Sequence, residues 1–254
     1  MSNANYVPVR AMAIVAHPDD IEFGCAGTVA RWVQQGCKVA YVLVTSGDAG
    51  IAQAGISRAD ATAIREAETI AAAKIVGVEN VIFLREPDGE VENTMKLRKR
   101  LVREIRIFKP EVVITDDPTL MFSPQGRINQ PDHRAVGTAA VDAIFPAAGQ
   151  PHFYEELANE GIRAHKVRKV YLLSRGQGDT SINISDTIDL KMQALKAHVS
   201  QVGHMETLEQ MLRERAATLG IGKEMDYAEV FRVSVIESDE TWTKLQEAEA
   251  QAEE

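Results

Sequence analysis

Cysteine is scarce in this chain: Cys25 and Cys37 are the only two among 254 residues. That is too few for a disulfide framework, so a reducing cytoplasm is the expected setting. No apolar run approaches the roughly 20 residues that span a bilayer, so no membrane association is expected. The opening segment Met1-Ser2-Asn3-Ala4-Asn5-Tyr6 lacks the basic region and apolar stretch of a secretory signal. Positive charge is in deficit: 28 Lys and Arg face 37 Asp and Glu, a net charge of −9, which argues against a general nucleic-acid partner. Linkers rich in Pro, Gly and Ser are missing and nothing repeats. One domain over residues 1–236 is expected, followed by an acidic tail, 237–254, that is loosely helical or disordered and carries no chemistry. The dinucleotide fingerprint G-x-G-x-x-G is also missing after the first strand-like run. Gly24-x-x-Gly27 stands there, beside acidic residues that would repel a pyrophosphate.

Strand-like and helix-like segments alternate through the chain. Met12 to Ala16, Val39 to Val44, Val81 to Leu84, Val112 to Thr115 and Val170 to Leu173 are short apolar runs, the signature of strands buried on both faces of a parallel sheet. Helical patterns fill the intervals: Cys25 to Gln35, Arg58 to Val76, Met95 to Phe108 and His133 to Phe145. Ser57 is a candidate N-cap for the long second helix and Gly77 its stop. Ile64, Ala67, Ile70, Ala71 and Ile75 are spaced to form its buried face. Two more helices, Leu190 to Val199 and Glu206 to Leu219, precede a short strand at Val230 to Val235. The pattern predicts an α/β, Rossmann-like fold, a mostly parallel sheet with right-handed crossovers and helices on both faces. Lys96, Arg98, Lys99, Arg100, Arg103 and Arg106 give the third helix a basic face, expected to be solvated, over a buried stripe of Leu97, Leu101, Ile105 and Phe108.

The chemistry gathers where the first strand ends, at His17-Pro18-Asp19-Asp20. In open α/β sheets ligands bind at the carboxyl ends of the strands. An imidazole and two carboxylates there can hold a metal ion and leave one carboxylate for proton transfer. The bland alternative is that Asp19 or Asp20 caps the following helix. A partner lies beyond the fourth strand, where Pro131-Asp132-His133 opens a helix; Asp132 fits the N-cap and His133 the first turn. Strands one and four flank the switch point in the common doubly wound order, so His17, Asp20 and His133 are expected to meet above the sheet. Two imidazoles and one carboxylate with an open position suit a catalytic zinc, and equally Fe2+ or another divalent ion. Asp116 and Asp117 end strand four near the same edge. Cys25, in an apolar helix start with no base histidine beside it, is a poor nucleophile.

With these residues in view, the chain resembles the LmbE-like (PIG-L) zinc-dependent deacetylases. The resemblance rests on Ala16 to Gly24, Thr45-Ser46-Gly47-Asp48, Arg65-Glu66, Leu84 to Gly89, Pro131-Asp132-His133, Lys191 to Gln201 and Tyr227-Ala228-Glu229, in order over roughly residues 11–235. It implies hydrolysis of an N-acetyl group, usually from an N-acetylglucosamine derivative or similar small N-acyl compound. Carried over, His17, Asp20 and His133 are the zinc ligands, and Asp19 is the general base acting on the metal-activated water. Arg65 and Asp88 hydrogen-bond sugar hydroxyls; otherwise Arg65 pairs with Glu66 or Glu68 on a solvated helix, and Asp88 is a turn residue before Gly89. Members of the family form oligomers, so a homo-oligomer is expected.

One position departs from the family pattern. His-Pro-Asp-His is usual, and this chain has Gln130-Pro131-Asp132-His133. A glutamine donates a hydrogen bond to an oxyanion but delivers no proton. Asp19, once protonated, or one of His152, His165, His198 and His204 would then have to protonate the leaving amine. The alternative function is a zinc- and sugar-binding protein of the same fold with weakened catalysis.

Overall fold

The computed structural model describes residues 6–51, 55–123 and 126–253; the reading of Met1 to Asn5 therefore lies outside the described residues. In chain order the elements are β1 (Arg10–Val15), α1 (Asp20–Gly24), α2 (Ala26–Gln34), β2 (Lys38–Thr45), α3 (Arg58–Ile75), β3 (Asn80–Glu86), α4 (Met95–Phe108) and β4 (Val112–Asp116). Then come α5 (Pro131–Asp142), a π-helical turn over Ala143–Ala148, α6 (Glu155–Asn159), β5 (Lys169–Leu173), β6 (Thr180–Asn183), α7 (Ile188–Lys196), α8 (Val199–Val202), α9 (Leu208–Gly220), β7 (Ala228–Val235) and α10 (Asp239–Glu253).

The sheet runs β3-β2-β1-β4-β5-β7-β6. Its first five strands are mutually parallel, and β7 is antiparallel to both β5 and β6. The expected α/β fold with a mostly parallel sheet is what forms. The apolar run of β1 divides its side chains between two cores: Ala11, Ala13 and Val15 join one, Met12, Ile14 and Ala16 the other. This is why the run is continuously apolar, since each face of the strand meets its own layer of helices. Crossovers leave β1 for β2 on one side and reach β4 on the other, so the crevice at the β1/β4 switch point opens over the carboxyl ends of these strands.

Two expectations are corrected and one strand, β6, was not anticipated. β6, Thr180-Ser181-Ile182-Asn183, has one large apolar side chain and is held by pairing to β7 rather than by an apolar pattern. The buried face of α3 is Ala61, Arg65, Thr69, Ala72 and Ala73, while Ile64 and Ile70 lie outward, Ile70 at 53% exposure. The basic face of α4 is paired rather than merely solvated: Arg98 with Asp142 at 3.5 Å, Lys99 with Glu156 at 2.6 Å, and Arg100 and Arg103 with Glu86 and Glu160. Arg106 is buried, and its guanidinium donates to the carbonyls of Ala147, Ala148, Gln150 and Phe153 around the π-helical turn. The tail begins as a docked helix, with Trp242 buried edge-on against His165 at 6.4 Å. No described helix is long and apolar enough to cross a membrane.

Candidate active site

The turn that ends β1 decides where the tetrad points. Asp19 sits in the left-handed region at φ 83, and its side chain makes no capping bond to α1. Aspartate tolerates this conformation better than most residues. The Asp20 carboxylate accepts the backbone N–H of His17 at 2.8 Å, which folds the turn back on itself. Neither carboxylate caps the helix, so the capping alternative does not hold.

From β4 and α5 comes the second half of the site. Gln130 is the N-cap residue of α5, and Pro131 takes the first helical position, where its missing N–H has no cost. Asp132 is therefore not the cap. It lies in the first turn, accepts the N–H groups of Gly89 (2.7 Å) and Val91 (3.3 Å), and faces His17 Nε2 at 3.2 Å. His133 follows it inward.

His17, Asp20 and His133 converge. His17 Nδ1 is 3.2 Å from His133 Nε2 and 3.6 Å from Asp20 Oδ2, and His133 Nε2 is 3.4 Å from Asp20 Oδ1. Ligands bound tetrahedrally at 2.0–2.1 Å stand roughly 3.3 Å apart, so these separations match the edges of such a site. Each imidazole has its far nitrogen against a carboxylate: His17 Nε2 lies 3.1 Å from Asp88 Oδ1, and His133 Nδ1 lies 3.3 Å from Asp116 Oδ1. Carboxylates in that position fix the tautomer and orientation of a ligating histidine. His17, Asp88 and Asp132 form a second group with ligand spacing. Its two carboxylates are already held by the N–H groups of Ala49, Gly89 and Val91, which suits them to orienting His17.

The electrostatics fit a cation. Burial pulls the pKa of His17 down, but Asp20 and Asp88 outweigh it and raise it to about 11. His133 rises to about 9 against burial, through Asp20 and Asp116. Despite its own burial, Asp20 falls well below the usual carboxylate range because of His133 and His17. A field that holds protons on two buried imidazoles would equally stabilise a divalent ion.

Asp19 is in a different environment. Burial and the neighbouring Asp20 raise its pKa to about 7, against the pull of Arg65. Arg65 is only 4% exposed. Its Nη2 donates to Asp19 Oδ2 at 3.1 Å and to Pro18 O at 2.8 Å, and its Nη1 donates to Gly47 O at 3.0 Å. The pairing of Arg65 with Glu66 or Glu68 does not form: Glu66 takes Ser46 and Arg85, and Glu68 takes Ser200. Gly47 makes room for the guanidinium. At its φ of +64, a Cβ would stand 2.2 Å from Arg65 Nη1. Behind Asp19, His198 and Glu22 are both buried, 3.1 Å apart.

Gln130 is exposed, and its side chain makes no capping bond. Of the four further histidines, His198 alone adds its charge to Asp19. His152 pairs with Glu155 at the surface, His165 bonds Pro110 O at 2.8 Å, and His204 is exposed. Several site residues were not anticipated. Arg175, just after β5, reaches Asn129 Oδ1 at 3.0 Å and His133 Nδ1 at 3.4 Å. Its position at the carboxyl end of a central strand was the available signal. Glu229 on β7 accepts the N–H groups of Gly27 (3.1 Å) and Thr28 (2.7 Å) and pairs with Lys191 at 2.6 Å. A carboxylate thus occupies the start of α2, where a dinucleotide fold would hold pyrophosphate. A cavity of about 110 Å³ adjoins the cluster, lined among others by Asp20, Asp116, His133, Arg175, Leu212 and Arg215.

Known proteins share this arrangement of sequence and fold. Residues 12–144 match the PIG-L family, described as GlcNAc-PI de-N-acetylase. Diacetylchitobiose deacetylase of Thermococcus kodakarensis is 30% identical over 225 residues, 88% of this chain and 82% of that protein. The 1D-myo-inositol 2-acetamido-2-deoxy-alpha-D-glucopyranoside deacetylase of Mycobacterium sp. (strain KMS) is 26% identical over 234 residues, 76% of this chain and 74% of that one. Among solved structures, N,N'-diacetylchitobiose deacetylase from Pyrococcus horikoshii superposes with a TM-score of 0.82 at 27% identity, covering 90% of this chain and 84% of that one. With half of its length matching the family and the fold shared almost end to end, this chain belongs to the PIG-L (LmbE-like) family.

Proposed function

We propose that this protein is a zinc-dependent deacetylase that removes the N-acetyl group from an amino sugar, an N-acetylglucosamine derivative or a similar small N-acyl compound. The observation that carries the reading is the His17–Asp20–His133 cluster, with donor atoms 3.2–3.6 Å apart and each histidine backed by a carboxylate. Two imidazoles and one carboxylate are the donor set of a catalytic zinc site. A zinc ion held there supplies Lewis acidity for the amide carbonyl and for water. Asp19, beside the cluster and not part of it, accepts the proton from the attacking water. Its ordinary carboxylate basicity is raised by burial and by Asp20, which brings it near neutral pH, the range in which a general base works best. Arg65 holds the Asp19 carboxylate in place through bonds to Asp19 and Pro18 in the turn that carries it and a third to Gly47 O beyond β2. Asp88 and Gln130 are assigned to the sugar, while Arg65, expected from the family to do the same, is buried and acts through Asp19 instead.

The test is metal analysis joined to an acetate-release assay on small N-acetyl sugars. About one zinc per chain is expected, with acetate release abolished by a chelator and restored by zinc. Restoration by Fe2+ and not by zinc would reassign the metal. Bound zinc with no acetate released from any substrate would favour the sugar-binding alternative that Gln130 raises.

A further inference from the structure

Arg175 and Arg215 line the cavity that adjoins the metal-binding cluster. Arg175 enters from the loop after β5 and Arg215 from α9. Neither closes an ion pair with a carboxylate among the described residues, although Asp116 and Glu229 line the same cavity. Arg175 bonds the neutral Asn129 amide and His133, and no hydrogen bond or ion pair of the Arg215 side chain is found there. Most other arginines in this protein meet a carboxylate or several carbonyls, as on α4. Glu229, the acidic group whose charge acts on Arg215, is already taken by Lys191 and by two backbone N–H groups. Burial and the like charge of Arg175 push the pKa of Arg215 down, against the opposing pull of Glu229. The wall joins apolar side chains, Phe23, Leu173, Leu212 and Leu219, to the charged groups of Asp20, Asp116, Glu229 and Lys191.

We propose that this cavity takes an anionic group of the substrate, a carboxylate or a phosphate carried by the N-acylated sugar, which Arg175 and Arg215 clamp from two sides. Guanidinium forks suit both oxyanions. The assignment of the scissile amide rests on the deacetylase reading above; the anion site rests on the arginines.

Calorimetric binding to the full-length, zinc-loaded protein tests it. The ligands are N-acetylglucosamine, its 1-phosphate and its glycosyl malate, with acetate release followed in parallel. At least one anionic sugar should bind about tenfold or more tighter than the neutral one, the size of a charge-assisted contact. The better of the two tells phosphate from carboxylate. That gap should shrink as salt rises from about 50 to 500 mM. It should fall about tenfold in Arg215→Gln and further in Arg215→Glu. No gap in the wild type overturns the proposal. So does a gap that survives in Arg215→Gln, which would assign the anion to the metal. A gap lost in Arg215→Gln but with no acetate released from any sugar supports the arginine site and rejects the deacetylase. Acetate released from all three with no preference rejects the arginine site and keeps the deacetylase.

Discussion

On the proposed mechanism, turnover depends most on Asp19 and on what replaces the family's histidine at Gln130. Replacing Asp19 by Asn keeps the shape and removes the base, so Asp19→Asn should lower kcat by about 10²–10⁴, with zinc content unchanged by metal analysis. Equal loss of zinc would mean that Asp19 serves the metal instead. Gln130 starts α5 with a free carboxamide where the family usually has histidine. Gln130→His should therefore raise kcat by about tenfold or more, within what a general acid supplies. No change in kcat, with zinc still bound, counts against a missing acid. Gly47 is a third sensitive position. Its φ of +64 and the 2.2 Å approach of Arg65 leave no room for a methyl group. Gly47→Ala should cost about 2 kcal/mol in denaturant unfolding. It should also lower activity, because the guanidinium that orients Asp19 must move.

Arg65 also explains why α3 is turned as it is. Hydrophobic spacing favours a face built on Ile64, Ala67 and Ile70, yet the helix buries the adjacent face, with Arg65 at its centre. The bonds from Arg65 to Asp19, Pro18 and Gly47 and the fit of Ala72 and Ala73 in the core decide the rotation. A second tie joins elements far apart in the chain. Glu229 on β7 binds the start of α2 and Lys191 of α7, all of it buried. Lys191→Met would leave the Glu229 charge in the interior with two backbone donors only. Removing one partner of a buried pair costs roughly 3–5 kcal/mol, and the shift in denaturant midpoint should reach that range. A shift below about 1 kcal/mol would place the pair with ordinary surface bridges.

The whole molecule should lose stability in alkali. Burial raises the Cys37 thiol from 9.0 to about 12 and pushes the Cys25 thiol and the Tyr41 hydroxyl well above their ordinary values. Above about pH 9 the unfolded chain releases these protons while the native protein keeps them. The native state then binds more protons, so stability falls as pH rises. Below pH 9 both states are protonated and these groups contribute no slope. Denaturant unfolding at pH 8.5 and pH 10 should differ by at least about 1 kcal/mol, and the double variant Cys25→Ala, Cys37→Ala should flatten that difference.

Much of this protein is legible in its sequence. Continuous apolar runs mark strands with both faces covered, and β1 shows why, since its alternate side chains enter two separate cores. The tetrad at its end stands out because polar chemistry follows buried strand without transition, and the family resemblance follows from the same residues. The β1/β4 switch point came from the order of elements, which depends on local periodicity. Other features were set by the tertiary structure alone. Asp132 reads as a helix cap but turns to His17, which lies 115 positions away. The rotation of α3, the pairing of the α4 arginines and the strand β6 each depend on partners brought near by folding. The same holds for Arg175 and Arg215, ordinary arginines in the sequence that meet in one cavity. A sequence carries the period of each element and the chemistry of each side chain; which charges face one another depends on how the elements pack, because charge pairing acts over a few ångströms and not along the chain.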